Sequence, residues 1–307
     1  MKQIAIIAPT ASGKTALSIE IAKQTNSVVL SLDSLSIYKE IDISSAKPSL
    51  KERGGIKHFG IDEITPQTQF DVMKFIDIYQ STKKYAIEQQ KNIIIVGGTG
   101  FYLKALLDGI SQTPILNQDT EEEVSKYLKN LPKTYEMLLS LDKHYMENIK
   151  PQDTYRISKA LAIYLQTKLI PSVYFEANKP IPYIDTHQIK LYEIVWDREL
   201  LRERIALRTK QMIDNGLIDE IIFLEQKYTR DIPPMKAIGL KETLEYLDGE
   251  IDKKTLHEKI TFATAQLAKR QRTFNNGQFN NVTKGDVSFL KSEILKYFND
   301  GLDIINS

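Results

Sequence analysis

The chain has 307 residues, 42 % of them hydrophobic, and its 41 basic residues nearly balance 40 acidic ones. This length allows one large domain or two of ordinary size, and the absence of cysteine excludes a disulfide framework, a zinc ribbon and a thiol nucleophile. Because no apolar run approaches the roughly 18 residues of a membrane-spanning helix, and the N-terminal run is too short for a signal peptide, we expect a cytoplasmic protein without membrane association, and we infer no stable protein partner.

The first part of the chain alternates between strand and helix patterns. Short apolar runs predict strands at 4–8, 27–33 and 92–96, and apolar residues at helical spacing predict helices at 14–24 and 71–91. Strands that alternate with helices form a parallel sheet with helices on both faces. The predicted fold class is therefore α/β.

The pattern changes near Pro114, where a charged, helical stretch without strands begins. Strand and helix patterns resume after Pro182. They predict a strand at 189–195, helices at 197–215, 217–228, 239–247 and 253–273, a short strand near 281–282 and a last helix at 288–298. We interpret 114–182 as a helical insertion between two segments of the core, 1–113 and 183–307.

A phosphate-binding loop follows the first predicted strand. The P-loop pattern is Gly, any four residues, Gly-Lys, and then Ser or Thr, and the chain departs from it only at the first position: Ala8-Pro9-Thr10-Ala11-Ser12-Gly13-Lys14-Thr15. The backbone N–H groups of such a loop surround an anion at a helix N-terminus. Lys14 would reach the phosphate oxygens, and the Thr15 hydroxyl would bind Mg²⁺. Since Ala disfavours positive φ, Ala8 must have ordinary backbone angles.

The loop predicts a bound diphosphate or triphosphate but leaves the chemistry open, since kinases, ATPases and some transferases share it. Asp33 ends the second predicted strand. The carboxyl ends of parallel strands line the active crevice of an open α/β sheet, so we expect Asp33 close to the P-loop. A helix cap, a Mg²⁺ ligand and a general base are all open roles for its carboxylate.

Two basic segments stand out against the neutral net charge. Residues 198–210 contain five basic and two acidic residues, and Lys269-Arg270-Gln271-Arg272 contains no acid. Either segment could face phosphates, or it could be a solvated helix face, which is the commoner case for a run of charges.

A series of sequence blocks resembles the bacterial tRNA dimethylallyltransferases, in the order in which that family has them. The most specific are the run that ends in Ala46-Lys47-Pro48 and the turn Gly97-Gly98-Thr99-Gly100. The others are the P-loop, residues 33–38, and the blocks at 58–62, 156–161, 237–242 and 266–271, so the resemblance extends from Ile4 to about Phe274.

The resemblance implies a fold, a reaction and a set of site residues. The family has a P-loop kinase-like parallel sheet core with an inserted helical subdomain that grips tRNA. It moves a dimethylallyl group from dimethylallyl diphosphate to the exocyclic amine of an adenine in the tRNA anticodon loop, beside the anticodon. The resemblance implies that Asp33 is the general base, that Thr99 lies by the adenine and the diphosphate, and that Arg208 stabilises leaving-group charge.

The binding residues that the resemblance implies fall into two groups. Residues 8–15 would hold the diphosphate, with Mg²⁺ as the cofactor. The implied tRNA-binding residues are Asp33, Ser34, Leu35, Ser36, Arg156, Lys159, Lys236 and Lys241.

The chain departs from the family pattern at four positions. Ser36 stands where Gln is common, Lys159 where Arg is usual, Leu240 where Tyr is usual, and Ala265 replaces an Arg. Each change concerns the pattern of RNA contacts, since a Lys, for example, cannot reproduce the fork of an Arg. None of them touches the diphosphate or the base.

Two other functions are open from the residues. A small-molecule kinase that uses ATP would need a mobile lid, which the long insertion could supply, but the blocks around Asp33 and Thr99 would then be unexplained. A non-catalytic RNA-binding protein would have no use for an intact Lys14, Thr15 and Asp33.

Overall fold

The computed structural model describes residues 1–111 and 113–300, so Gln112 and positions 301–307 of the predicted core segments lie outside the described residues. A six-stranded sheet, parallel at every pairing, forms the centre of the fold. The strands are β1 (Gln3–Ile7), β2 (Ser27–Leu32), β3 (His58–Phe59), β4 (Asn92–Gly97), β5 (Ile189–Ile194) and β6 (Val282–Gly285), in the spatial order β3-β2-β4-β1-β5-β6. The predicted parallel α/β architecture is confirmed.

The helices of the described residues account for the remaining regular structure. They are α1 (Lys14–Gln24), α2 (Leu50–Arg53), α3 (Val72–Glu88), α4 (Gly100–Asp108), α5 (Gln118–Leu128), α6 (Leu131–Leu141), α7 (Lys143–Met146), α8 (Thr154–Thr167), α9 (Pro171–Ala177), α10 (Arg198–Asp214), α11 (Leu217–Tyr228), α12 (Leu240–Leu247), α13 (Lys253–Gln278) and α14 (Val287–Asn299), with short 3₁₀ helices at Thr186–Gln188 and Pro233–Lys236. None of these helices combines the length and apolar character needed to cross a bilayer.

The sheet is covered on both faces. Alternate residues of a strand point to opposite faces, and Ile4 and Ile6 of β1 pack with Leu17 of α1 and Leu290 of α14 on one face. Gln3, of opposite parity, accepts a 3.1 Å hydrogen bond from the Tyr79 hydroxyl of α3, which places α3 on the other face. Strands buried on both faces are almost wholly apolar, as β1 and β4 are.

The described residues separate into two compact units. One contains Met1–Leu107 and the chain from Ile184 onward, and it holds the whole sheet; the other is Asp108–Tyr183. In the first unit, the Ile184 N–H donates a 3.0 Å hydrogen bond to the Leu106 carbonyl. The points where the chain leaves and rejoins this unit are therefore neighbours. The predicted insertion, 114–182, falls within the second unit.

The second unit consists of short helices around an apolar core of its own. Val124, Leu138, Met146 and Leu161 are among the buried residues of this core. Side-chain caps start its helices: Asn117, Asn130, Asp142 and Asp153 each accept a hydrogen bond from the backbone N–H three residues further on. Such caps satisfy N–H groups that have no partner within the helix.

Candidate active site

The P-loop turns between the end of β1 and the start of α1. Ala8 has no positive φ, as its position required, whereas Ala11 (φ 62°) and Gly13 (φ 87°) are left-handed, with Ser12 between them in an ordinary conformation. Right- and left-handed residues in alternation turn successive N–H groups toward one point and form a nest for an anion. The N-terminus of α1 adds the positive end of the helix dipole. This geometry suits a phosphate group.

Two cations stand beside the loop. Lys14 begins α1, and its Nζ donates a 3.4 Å hydrogen bond to the Pro9 carbonyl; Arg208 projects from α10. Burial, together with the charge of Arg208, lowers the pKa of Lys14 to about 8, against a smaller opposing effect of Asp33. Burial also lowers the pKa of Arg208, again opposed by Asp33. A bound anion would therefore stabilise the charged forms of both side chains, because they are partly desolvated and repel each other.

Asp33 lies where it was expected, immediately after β2. Its Oδ1 accepts hydrogen bonds from the N–H groups of Leu35 (2.8 Å) and Ser36 (3.3 Å), so the carboxylate does cap the following turn. Within the described residues, no hydrogen bond reaches Oδ2. A cap and a second function are compatible here, because each uses a different oxygen of one carboxylate.

A small cavity of about 50 Å³ joins these groups. Thr10, Lys14 and Thr15 of the P-loop line it together with Asp33 and Arg208. A wide groove of about 1500 Å³ lies next to it and shares the wall formed by Lys14, Thr15, Lys47 and Arg208. The structure therefore brings together the predicted phosphate-binding residues, the predicted base and the predicted leaving-group arginine.

Thr99 lies at the end of the neighbouring strand. Its N–H donates a 3.1 Å hydrogen bond to the carbonyl of Leu32, the residue before Asp33. Thr99 is half-buried and does not line either cavity. The backbone thus holds Thr99 close to Asp33 in the sheet, at the same carboxyl edge.

The donor groups suit a metal ion that is held mainly by substrate. Residues 1–111 and 113–300 contain no cluster of three or more His, Asp or Glu side chains that could hold a metal ion. Mg²⁺ in phosphate sites is usually held by one or two protein groups, phosphate oxygens and water. The Thr15 hydroxyl and the Asp33 carboxylate, which share the small cavity, fit that arrangement.

Lys47 lines both cavities and belongs to one of the most specific sequence blocks, which assigned it no role. Its side chain is 4 % exposed and forms ion pairs with Asp42 (2.7 Å) and Asp62, and Arg53 also pairs with Asp62 at 3.1 Å. Burial alone would raise the pKa of Asp62, but the hydrogen bonds from Lys47 and Arg53 outweigh it and lower that pKa. The charge of Lys47 is therefore balanced by Asp42 and Asp62, and its side chain forms part of the wall of both cavities.

The implied RNA-binding positions of the first unit differ in accessibility. Ser34 is exposed and Leu35 half-buried, whereas Ser36 is buried and lines the small cavity. Lys236, at the end of a 3₁₀ helix, and Lys241, in α12, are exposed. Ser36 therefore lies beside Asp33 rather than on the outer surface, and its N–H donates a hydrogen bond to the Asp33 carboxylate. The expectation that none of the four departures touches the base is wrong at this position.

The implied RNA-binding positions of the second unit lie at the start of α8. Arg156 is 62 % exposed and pairs with Asp153 at 3.5 Å. The Lys159 Nζ lies 5.8 Å from the ring centre of Tyr155, which is 71 % exposed. These are accessible cations next to an accessible aromatic ring.

Two of the residues that depart from the family pattern pack against apolar neighbours. Leu240 is fully buried in an apolar cluster with Leu217 and Leu256. Ala265 packs beside Ala11 and Ala268. Leu240 therefore fills interior space, whereas Ala265 is half-buried at the edge of its cluster.

A P-loop on a parallel sheet, with a carboxylate and an arginine in the same cavity, defines an enzyme that acts on a phosphorylated substrate. The model of the IPP transferase family matches residues 36–278, and the chain belongs to this family of tRNA dimethylallyltransferases. It is 55 % identical to the tRNA dimethylallyltransferase of Aliarcobacter butzleri, over 97 % of this chain and 99 % of the relative.

Solved structures show the same likeness. The full-length tRNA isopentenylpyrophosphate transferase from Bacillus halodurans is 27 % identical with a TM-score of 0.72, and the match covers 100 % of this chain and 99 % of that one. A eukaryotic dimethylallyltransferase acting on tRNA is 25 % identical with a TM-score of 0.80, over 93 % of this chain and 74 % of that one. These relatives are transferases, and they give no support to the kinase alternative.

Proposed function

We propose that this chain transfers a dimethylallyl group from dimethylallyl diphosphate to the exocyclic amine of an adenine next to the anticodon in tRNA. A carbon–nitrogen bond forms, the carbon–oxygen bond to diphosphate breaks, and the amine loses a proton. The observation that carries this proposal is the shared cavity of Asp33, Lys14, Thr15 and Arg208. Transfer of an alkyl group to a weakly basic amine requires a base and a stabilised leaving group in one site.

The leaving group would be held by the P-loop, residues 8–15. Its left-handed positions at Ala11 and Gly13 turn backbone N–H groups inward. Lys14 and Arg208 would meet the negative charge that develops on the departing diphosphate, where preorganised cations stabilise a transition state most. Their lowered pKa values indicate partly desolvated charges, which interact strongly with an anion.

The proton would go to Asp33. The hydrogen bonds to Oδ1 fix the orientation of the carboxylate, and Oδ2 is available to accept the amine hydrogen and then the proton as the new bond forms. Thr99, held at the adjoining strand end, would position the adenine beside it.

Mg²⁺ would be bound by the Thr15 hydroxyl together with the diphosphate. When bound, it supplies positive charge that stabilises the departing diphosphate. This fits the position of the Thr15 hydroxyl, which lines the small cavity beside the P-loop.

The acceptor would be the anticodon loop of tRNA. Such loops are single-stranded, so that one base can leave the stack and enter a pocket. Exposed cations at Arg156, Lys236 and Lys241, with Lys159, would bind the phosphate backbone. Ser34, Leu35 and Ser36 adjoin Asp33, where they would line the path of the base. Both the soluble substrates and the absence of cysteine suit a cytoplasmic enzyme.

The experiment that tests this proposal is single-turnover transfer of labelled dimethylallyl to tRNA by Asp33→Asn. Because Asn keeps a hydrogen-bond acceptor but cannot take a proton, we expect the rate to fall by about 10²- to 10⁴-fold, with tRNA and pyrophosphate binding retained. The matched control is Asp71→Asn, which changes a helix cap of α3 and should leave the rate within about twofold.

Each rival role of Asp33 has its own outcome. A rate for Asp33→Asn within a few-fold of the parent would assign Asp33 to the cap alone. Full recovery of the rate at high Mg²⁺ would assign it to the metal.

A further inference from the structure

One residue of the P-loop is held in a conformation that it rarely adopts. Ala11 has φ 62°, a left-handed angle that is uncommon for a residue with a Cβ atom. Its methyl group is buried with Ile205 of α10 and Ala268 of α13. Strained residues persist only where their surroundings fix them, and packing between two helices supplies part of that restraint.

Two side chains add to this restraint by donating hydrogen bonds to carbonyl groups of the loop. The Arg204 Nε donates a 2.8 Å hydrogen bond to the Ala11 carbonyl. The Trp196 indole N–H donates a 3.0 Å hydrogen bond to the Ser12 carbonyl. The Arg204 guanidinium also lies over the Trp196 ring, 4.4 Å from its centre, so that each side chain supports the other. We name Arg204 and Trp196 together the loop clamp.

Because of the geometry of the peptide bond, these two contacts also orient N–H groups of the anion site. In a trans peptide, the carbonyl and the following N–H point in opposite directions. Fixing the Ala11 carbonyl toward Arg204 therefore fixes the Ser12 N–H on the other side of the loop. In the same way, the contact of Trp196 with the Ser12 carbonyl fixes the Gly13 N–H. These two N–H groups belong to the nest between the left-handed residues.

We propose that Arg204 and Trp196 are positioning residues that preorganise the P-loop for diphosphate by fixing the Ser12 and Gly13 N–H groups toward it. The proposal rests on the proposed function, since it assumes that the loop binds a diphosphate. Neither side chain needs to touch the ligand. Without the loop clamp, the loop must become ordered each time diphosphate binds, and this loss of conformational entropy lowers the affinity for diphosphate.

The test is calorimetric titration of the full-length protein with inorganic pyrophosphate and Mg²⁺. A hydrogen bond to a charged donor is stronger than a neutral one, so we expect Arg204→Gln to weaken binding by about 10- to 100-fold and Trp196→Phe by about 3- to 10-fold. Phe keeps a ring under the guanidinium and loses only the indole N–H. In steady-state assays the KM for dimethylallyl diphosphate should rise while the KM for tRNA stays constant.

The matched control is Arg202→Gln, which removes the same charge from the same helix. Arg202 pairs with Glu199 on the exposed face of α10 and makes no contact with the loop, so its affinity for pyrophosphate should stay within about twofold of the parent. Arg204→Lys separates geometry from charge, because Lys cannot reproduce a planar, stacked guanidinium. We expect its affinity to lie between those of Arg204→Gln and the parent.

The outcomes distinguish this proposal from the proposed function. If Arg204→Lys and Trp196→Phe both bind pyrophosphate as the parent does, charge alone explains Arg204 and the clamp is wrong. If the parent itself fails to bind pyrophosphate, the proposed function is wrong instead. Thermal unfolding of each variant shows whether it is folded, and Trp196→Phe, a conservative change at a half-buried site, keeps the test decisive if Arg204→Gln does not fold.

Discussion

The two compact units place their functional candidates in different physical settings. In the sheet-bearing unit, Lys14, Asp33 and Arg208 converge on one cavity, where burial lowers the pKa of Lys14 and that of Arg208. In the helical unit, Arg156 stands at the start of a locally capped helix with most of its side chain in solvent. The first arrangement depends on contacts between distant parts of the chain, whereas the second depends on one helix.

Under the proposed function, this difference corresponds to two kinds of recognition. A small, highly charged ligand needs fixed donors at fixed positions, and these require burial and backbone strain. A long polyanion can be bound by flexible exposed cations that act almost independently. Substitutions of the buried site residues in the first unit should therefore have large effects that depend on geometry. Substitutions of exposed cations, such as Arg156 in the second unit and Lys241 in the first, should have small effects that depend on salt.

The largest effect is expected at Lys14. Lys14→Ala removes charge-assisted hydrogen bonds to the phosphate oxygens, and pyrophosphate affinity should fall by about 100-fold or more. Calorimetry measures this, and Lys51→Ala is the control, since Lys51 lines the same wide groove on an exposed helix. If folded Lys14→Ala binds pyrophosphate as tightly as the parent, the P-loop is not the diphosphate-binding site.

A smaller effect is expected from pH. Lys14 has a pKa lowered to about 8, so it carries its charge below pH 8 and loses it as the pH rises further. The contribution of Lys14 to pyrophosphate affinity should therefore be constant below pH 8 and fall toward tenfold per pH unit above it. Lys14→Arg stays charged throughout, so the ratio of the two affinities cancels the ionisation of pyrophosphate itself. A ratio that is constant from pH 7 to 9.5 contradicts the lowered pKa.

The smallest effects are expected at the exposed cations. The parent should bind tRNA with a steep salt dependence, and Arg156→Ala and Lys241→Ala should each reduce the slope of log affinity against log salt by about one. Lys143→Ala is the control in the helical unit, where Lys143 is 80 % exposed and pairs with Glu147. A parent slope near zero would argue against RNA as the acceptor. Complete loss of tRNA binding in Arg156→Ala would contradict the expectation that the exposed cations act almost independently.

The sequence predicts the parts of the site that local pattern determines. A strand, a glycine-containing loop and a helix in series are enough to place Lys14 and Thr15, and the rule that strand ends share an edge is enough to place Asp33 beside them. The strand β3 was missed because two residues show no period. The last turn of α13 was missed because Asn275-Asn276-Gly277 is typical of a helix end. Asn275 is instead buried and hydrogen-bonded to Glu193, and the helix continues to Gln278.

The basic segment at 198–210 shows why the remaining residues could not be predicted. Two of its cations do belong to a solvated face, since Arg202 pairs with Glu199 and Lys210 with Asp214. Arg204 and Arg208 turn instead toward the P-loop, almost 200 positions earlier in the chain. The sequence shows two cations in each case, Arg202 and Lys210 or Arg204 and Arg208, so charge composition does not distinguish the two sets. Only the packing of α10 beside the loop decides which cations reach the P-loop.

The hydrogen bond between Ile184 and Leu106 has a consequence for how this architecture can change. Because the core closes on itself at that point, the helical unit is, for the core, a single long loop with both ends already fixed. The entropic cost of such a loop rises only slowly with its length, by about 0.6 kcal/mol for each doubling. By this estimate, segments of other lengths fit at the same junction while the sheet and the phosphate loop stay intact. The unit proposed to bind tRNA can therefore change separately from the unit proposed to carry the chemistry.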